Sequence, residues 1–403
     1  MTKNQYTFGS IIPLIGGMTI AAKQALGTNP SFIASWPGSF GFNDSFCLNY
    51  FKGENVPYYD LEKSDLPAHY VDIITSLPPC AGLSTANTSK TGKNPHGCNA
   101  PSNEHMITGA EQAMKFSEPR CIIVENAPKL FTPYGVPFAQ RIANLASNYN
   151  YSMSMVKTST IYHGLPQDRP RTFYFLWKGS KAPVLNKIRK PYVPFHEFMA
   201  TNEFASSDIV NTKAPPSSDP YWQFIQYKNP GLSKQDILQK YAGKTTVSVW
   251  MTIRRNDWID EAIAFMEDHN YEKQHKWLKY AKNKLSQGLG VMDASVKMSW
   301  EKCRSLMWQT APHTMHPFED RWLTVSELLA LMGFPADFYA KSPIAAKDHN
   351  VICQNVPVCT ASDWINEIAE SLDGNREWVD IPSGKILRQS NVTINKTMVP
   401  IIS

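Results

Sequence analysis

The stretch "YVDIITSLPPCAGLST", Tyr70 to Thr85, decides how this chain is read. Apart from Asp72, Val71 to Thr75 is β-branched and largely apolar, the composition of a buried strand. Pro78-Pro79 then makes a rigid corner, because each pyrrolidine ring locks its own backbone. A strand that ends in such a corner presents the next side chain at a fixed place on the rim of a sheet, and that side chain is Cys80. Gly82 and a polar run follow, so the chain loosens directly after the cysteine.

Around this stretch the sequence alternates strands with helices. Tyr6 to Ile15 reads as a strand, Gly16-Gly17 as a turn, and "MTIAAKQALG" as an Ala-rich helix closed by Gly27. That opening suits a nucleotide-binding α/β unit, in which glycine lets a ligand approach the backbone. Further strands are expected at 31–35, 70–76, 120–126 and 151–159, with helices at 105–116 and 137–146. This rhythm predicts an α/β fold with a doubly wound, mostly parallel sheet whose ligands sit at the carboxyl ends of its strands. Cys80, Glu125 and Asn126 fall at such ends.

Composition bounds the rest. The chain has 403 residues, 42% of them hydrophobic, enough for a large catalytic domain with an insertion. Seven scattered cysteines without Cys-x-x-Cys spacing point to reduced thiols, a cytoplasmic setting and no metal site. No apolar segment reads as a signal peptide or a membrane span, so a soluble protein is expected. The net charge of +5 is mild, yet residues 272–304 alone hold eight Lys or Arg against three acids. Residues 257–287 read as helical, with Lys276 and Lys279 among lysines at three-residue steps and Trp277 and Tyr280 between them. A solvated surface helix explains such a pattern as well as phosphate contact does.

The expected organisation is a catalytic, cofactor-binding domain over 1–180 and an inserted domain over 181–312, where the βα rhythm disappears. The catalytic domain resumes over 313–375 with amphipathic helices at 323–334 and 363–372, and 376–403 forms a tail with edge strands.

Two segments join Cys80. "CIIVENAPKL" (121–130) places Glu125 and Asn126 at a strand end, and "YHGLPQDRPR" (162–171) gives Gln167-x-Arg169-x-Arg171, with alternating side chains on one face of an extended strand. A thiol, a carboxyl and two guanidiniums at one rim suit nucleophilic attack on an electron-poor ring.

In order along the chain, these segments resemble the DNA (cytosine-5)-methyltransferase family. "LIGGMTIAAKQAL" resembles its first, cofactor-binding motif; "PPCAGLS" its nucleophile motif; "VENAPKLF" its Glu-Asn motif; "HGLPQDRPRTFYF" its Gln-x-Arg-x-Arg motif. "HPFEDRWLTVSELLALMGFPADF" (316–338) and "QNVPV" (354–358) are similar to the last two motifs, and the family's target-recognition domain falls in the gap. The resemblance implies a class I, Rossmann-like methyltransferase fold, S-adenosyl-L-methionine as cofactor, and duplex DNA as partner of a monomer. It implies catalytic roles for Cys80, Glu125, Arg169 and Arg171. Cofactor contacts are implied for Ile12, Gly16, Gly17, Trp36, Asp60, Pro79 and Asn355. Substrate contacts are implied for Pro79, Ser84, Asn126 and Gln167, and phosphate contacts are assigned to Lys276 and Lys279. Cys80 would add to C6 of a cytosine flipped out of the duplex, activating C5 for methylation, and residues 84–103 read as the loop that closes over the base.

The first motif departs from the family pattern, because Ile12 and Leu14 stand where an aromatic and a glycine are usual. No acid in "FIASWPGSFGFND" is placed to hold the cofactor ribose; Ser35 stands nearest that position, with Asp44 more distant. The same cysteine chemistry on RNA or a nucleotide, and a non-catalytic DNA-binding homologue, are the alternative readings.

Overall fold

The computed structural model describes residues 5–38, 44–84, 87, 96–201, 214–243, 247–291, 295–306, 313–338, 351–392 and 400–403. The parallel strands are β1 Phe8–Ile11, β2 Ile33–Ser35, β3 Tyr58–Asp60, β4 Ile73–Ser76, β5 Cys121–Asn126 and β6 Tyr151–Ser159. The two-residue β7 Gln167–Asp168 leads into β8 Pro170–Lys178 and then β9 Lys181–Pro183. The later strands are β10 Val247–Ser248, β11 Lys297–Met298, β12 Cys303–Arg304, β13 Trp378–Asp380, β14 Ile386–Ser390 and β15 Ile401–Ile402.

Nine of these form one sheet in the order β15-β14-β6-β8-β5-β4-β1-β2-β3. β3, β2, β1, β4 and β5 run parallel, β8 is antiparallel between β5 and β6, and β14 adds parallel to β6. Parallel strands buried on both faces need near-continuous apolar composition, which "CIIV" of β5 supplies; β6 instead alternates Ser with Met over "YSMSMV". The register pairs Ile11 with Ser76, Ser76 with Val124, and Ser35 with Asp60, so the carboxyl ends of β1 to β5 fall on one edge. Chain order reverses at β1, with β2 on one side and β4 on the other, which opens a crevice there for a ligand.

Helices Gly17–Leu26, Glu104–Phe116, Val136–Asn148 and Val358–Leu372 pack their buried residues onto this sheet in one large core. A second core is built from residues 222–322, with Trp222, Phe224, Trp250, Phe265, Leu278 and Trp322 at its centre. Phe195, Met199, Cys303 and Leu306 belong instead to the first core, so the polypeptide crosses between the two several times. The expected helix over 257–287 is two helices, Ile259–Asp268 and Glu272–Ser286, because Asn270 between them turns into the left-handed region at φ 60°. The helix within 323–334 spans Val325–Leu331 and begins with a reciprocal capping box between Thr324 and Glu327. No helix among the described residues is long and apolar enough to cross a membrane.

Candidate active site

The edge formed by the carboxyl ends of β4, β5 and β8 gathers the residues singled out in the sequence. Cys80 caps a single turn of 3-10 helix, Ala81–Leu83, directly after the Pro78-Pro79 corner, and is half-buried. Gly82 is required there by contact: a Cβ would lie 2.5 Å from both Ala100 Cβ and Asn103 Oδ1. Glu125, 2% exposed near the end of β5, meets Arg171 of β8, whose Nε lies 2.6 Å from its Oε1. Arg171 Nη1 also donates to the Pro170 carbonyl at 2.8 Å. Asn126 holds the two strand ends together: its Nδ2 donates to the Pro79 carbonyl at 3.4 Å, and its Oδ1 accepts from the Ala127 N–H at 2.8 Å.

Charge is balanced closely at this edge. Burial raises the Cys80 thiol above its ordinary value, Arg171 and Arg169 pull it down, and the Glu125 carboxylate pushes it up. Burial also raises Glu125, against the lowering pull of Arg171 and Arg169. A thiol and a carboxyl that disfavour each other's ionisation beside two fixed cations form an electrostatic unit suited to moving one proton and one electron pair.

The expected single strand from Gln167 to Arg171 is interrupted at Arg169, and the two arginines separate in role. Arg169 is fully buried and is spent on backbone carbonyls: Nη1 donates to Leu306 at 2.5 Å, and Nη2 donates to Cys353 at 2.6 Å and to Asn355 at 2.7 Å. Burial, with Arg171 nearby, lowers it to about 9, so it stays a cation at neutral pH. Gln167 is likewise tied to the frame, donating to the Leu331 carbonyl at 2.7 Å and accepting from the Leu306 N–H at 3.2 Å. Arg171 is the arginine that faces the carboxyl. Ser84 ends the 3-10 turn after Cys80. In the 84–103 stretch, residues 85–86 and 88–95 lie outside the described residues.

A second cluster lies at the ends of β1, β2 and β3. Ile12 and Leu14 hold left-handed backbone, at φ 57° and 51°, and Gly16 follows at 109°. For a β-branched isoleucine this is a strained conformation, and strain of this kind collects at ligand clamps. The Gly17 N–H donates to Asn355 Oδ1 at 2.9 Å, and a Cβ on Gly17 would stand 2.1 Å from that oxygen. The Trp36 ring lies 5.6 Å from that of His105. Among the buried polar atoms without a hydrogen-bond partner in the described residues are two of this cluster, Ser35 Oγ at the end of β2 and Asn355 Nδ2. A polar ligand in the crevice would satisfy these atoms, so this cluster fits an amino-acid or nucleoside cofactor. Asp60 is held in its own turn, bound by Lys63 at 2.7 Å and by the Glu62 N–H at 3.0 Å. Asp44 is engaged with the Tyr58 hydroxyl at 2.7 Å.

The two clusters are joined by Asn355, whose side chain holds Gly17 while its carbonyl holds Arg169. Sequence reasoning gave Asn355 and Arg169 separately, but no local spacing reveals that they touch. It also missed Asn103, whose Nδ2 holds the Gly97 and Cys98 carbonyls beneath the Cys80 turn, at 2.9 and 3.0 Å. Lys276 and Lys279 lie far along the chain, on the exposed face of the helix Glu272–Ser286, while Trp277 packs on Trp250 in the second core.

Comparison with known proteins bears on the fold and the family. The fold is similar to a structure titled as a candidate DNA modification methyltransferase encoded within a prophage of E. coli, at 14% identity and a TM-score of 0.54, covering 91% of this chain and 99% of the other. It is also similar to the methyltransferase EhMeth of Entamoeba histolytica, at 13% identity and a TM-score of 0.51, covering 92% and 99%. No curated protein sequence matches the chain. The family model described as C-5 cytosine-specific DNA methylase matches residues 6–370, nearly the whole chain. The chain therefore belongs to the C-5 cytosine-specific DNA methylase family, whose members are S-adenosyl-L-methionine-dependent methyltransferases.

Proposed function

We propose that this protein methylates C5 of a cytosine in duplex DNA through a covalent bond between Cys80 and C6 of the base. The observation that carries the reading is the junction of three groups at one sheet edge: a half-buried thiol, a buried carboxyl, and Arg171 Nε at 2.6 Å from that carboxyl. S-adenosyl-L-methionine, when bound, supplies an electrophilic methyl group. Ser35, Trp36, Asn355 and the Ile12–Gly17 turn would hold it.

C5 of cytosine is a poor nucleophile until C6 carries a substituent. Glu125, raised by burial, takes a proton readily and would give it to ring N3, drawing electrons from C6. The same proton removes the carboxylate charge that holds the Cys80 thiol up, so protonation of Glu125 also eases formation of the thiolate. The Cys80 thiol loses its proton to solvent, the thiolate Sγ bonds to C6 as N3 takes the proton from Glu125, the C5–C6 π electrons become available at C5, and Arg171 steadies the negative charge that develops on the ring. After methylation, loss of the C5 proton returns an electron pair to C5–C6 and expels Cys80. C6 is inaccessible inside stacked duplex DNA, so the target base must leave the helix to reach Cys80.

Arg169 is assigned a positioning role rather than contact with the base, since its terminal nitrogens are occupied by three carbonyls. The domains follow the same scheme, with the large sheet as the catalytic unit and the second core as the region that recognises the target. Duplex DNA is favoured by the size of that second region and by the exposed lysines of its Glu272–Ser286 helix. The test supplies tritiated S-adenosyl-L-methionine with duplex DNA, tRNA or cytidine nucleotide. Label in C5 of DNA cytosine, lost on Cys80→Ala, is expected; label confined to RNA, or retained by Cys80→Ala, overturns the corresponding part.

A further inference from the structure

Beside the catalytic edge lies a side-chain cluster that the reaction does not use. Lys129 Nζ is 2.8 Å from His96 Nε2, and the Tyr134 hydroxyl is 2.9 Å from His96 Nδ1. The His96 and Tyr134 rings stack with centroids 5.1 Å apart, and Lys129 Nζ also sits 5.0 Å from the Tyr134 ring centre. Lys129 and Tyr134 belong to the two short 3-10 turns, Pro128–Phe131 and Pro133–Gly135, that follow the Glu125-Asn126 strand end. His96 precedes Gly97, whose N–H donates to the Gly82 carbonyl at 2.8 Å, inside the turn that carries Cys80. Cys98 Sγ donates to the Tyr134 carbonyl at 2.9 Å and reinforces the same junction.

We propose that His96, Lys129 and Tyr134 form a brace that fixes the Cys80 turn relative to the Glu125 strand end, with His96 as a positioning residue for the methyl transfer. The inference rests on the assignment of Cys80 and Glu125 made above. Chemistry dictates the form of the brace. A lysine ammonium can only donate, so His96 Nε2 accepts, and the ring proton resides on Nδ1 and is given to the Tyr134 oxygen. Only neutral imidazole can do both. Protonation at Nε2 would set two cations 2.8 Å apart and break the bridge from Lys129. The groups facing His96 are Lys129 and Tyr134, with Cys98 on its own segment, and no carboxylate among the described residues pairs with it to offset a second charge. Partial burial and Lys129 accordingly hold His96 below the usual imidazole range, so the brace is intact at neutral pH.

The brace adds to the other links between these strand ends: the pairing of Ser76 with Val124, the Cys98 bond to the Tyr134 carbonyl, and the long 3.4 Å bond from Asn126 to the Pro79 carbonyl. Beyond the paired strand residues it helps to fix the distance between Cys80 and Glu125. A displacement there of about 1 Å lowers a rate by up to about 100-fold.

The test uses the full chain, tritiated S-adenosyl-L-methionine and unmethylated genomic DNA, with single-turnover rates followed from about pH 5.5 to 8.5, the span in which imidazole titrates. His96→Ala should slow transfer by about 10-fold or more at pH 8, with cofactor affinity by titration calorimetry unchanged. His96→Gln offers Lys129 a carbonyl acceptor that takes no proton. It should keep transfer within about 3-fold of the parent at pH 8 and lose the decline on the acid side that the parent shows below the ordinary imidazole value of about 6.5. An acid decline in His96→Gln identical to that of the parent overturns the brace, even where His96→Ala does not fold; so does a His96→Ala rate equal to the parent's. Cys80→Ala in the same assay separates the two readings. Inactive Cys80→Ala beside fully active His96→Ala removes only the brace, whereas active Cys80→Ala removes the nucleophile on which it rests.

Discussion

Exchanging each arginine of the Gln-x-Arg-x-Arg segment for lysine separates framework from chemistry. Arg169 donates to three buried carbonyls, those of Leu306, Cys353 and Asn355, at 2.5 to 2.7 Å. A lysine keeps the charge but ends in one shorter-reaching ammonium without the planar fork. It would satisfy about one of the three acceptors. A hydrogen bond from a charged group contributes about 1.5–3 kcal/mol, so losing two costs about 3–6 kcal/mol. With an unfolding entropy of about 2.1 cal/mol/K per residue, a chain of this length shifts by about 1 °C per kcal/mol, so Arg169→Lys should melt about 4–7 °C lower. Cofactor affinity should fall with it, because Asn355 loses its anchor while holding Gly17. Arg171→Lys should melt within about 2 °C of the parent, since Arg171 makes one bond to its neighbouring carbonyl and a lysine keeps the positive charge that the buried Glu125 faces. Its rate of transfer should nevertheless fall by about 100-fold or more, the scale of losing one donor to a developing charge. Differential scanning fluorimetry, titration calorimetry and single-turnover transfer read the three quantities. If Arg169→Lys melts like the parent and loses only rate, Arg169 acts on the base and its assignment as framework is wrong.

Three further outcomes are expected. Gly17→Ala would force its Cβ to 2.1 Å from Asn355 Oδ1 and 2.6 Å from the Val356 carbonyl, so calorimetry should show cofactor affinity reduced about 10-fold or more and stability lowered by about 1–3 kcal/mol; unchanged affinity would remove Gly17 from the cofactor turn. Burial raises Glu125, so the folded chain binds that proton more tightly than the unfolded chain, and stability declines as pH climbs from the ordinary carboxyl value toward the raised one. Glu125→Gln should flatten that part of the pH–stability curve, and an unchanged slope in denaturant titrations contradicts the shift. Changing Lys276 and Lys279 together to Ala should weaken binding to duplexes of any sequence and reduce the slope of log affinity against log salt by about 1–2; an unaltered slope returns that helix to ordinary solvated surface.

What the sequence disclosed follows the range of the interactions involved. The strands expected at 120–126 and 151–159 match β5 and β6 to within one residue, because short runs rich in Ile, Val, Met and Tyr bounded by polar turns read as buried strands. The turn after Cys80 was legible because proline and glycine carry backbone information in themselves. The break at Asn270 was read through, although residues 267–270 are polar and asparagine is among the few residues that readily take the left-handed region. The division of labour between Arg169 and Arg171 was hidden. Both occupy alternate positions in one motif, and what distinguishes them is contact with Leu306, Cys353 and Asn355, more than 130 residues away. The strained Ile12 and Leu14 were visible only as departures from a pattern; their positive φ emerges only in the structure. The His96 brace spans 33 and 38 residues and has no periodic signature at all.

The central claim is that Cys80 forms a bond to the base. Incubating the protein and S-adenosyl-L-methionine with duplex DNA in which 5-fluorocytosine replaces cytosine tests it, because fluorine at C5 cannot leave as a proton and the attacking residue stays attached. The account predicts a denaturation-resistant protein–DNA complex whose digest carries the modified nucleotide on the peptide containing Cys80, and none from Cys80→Ala. Methyl transfer to ordinary duplex DNA without any trapped complex, or a complex attached through another residue, would contradict it.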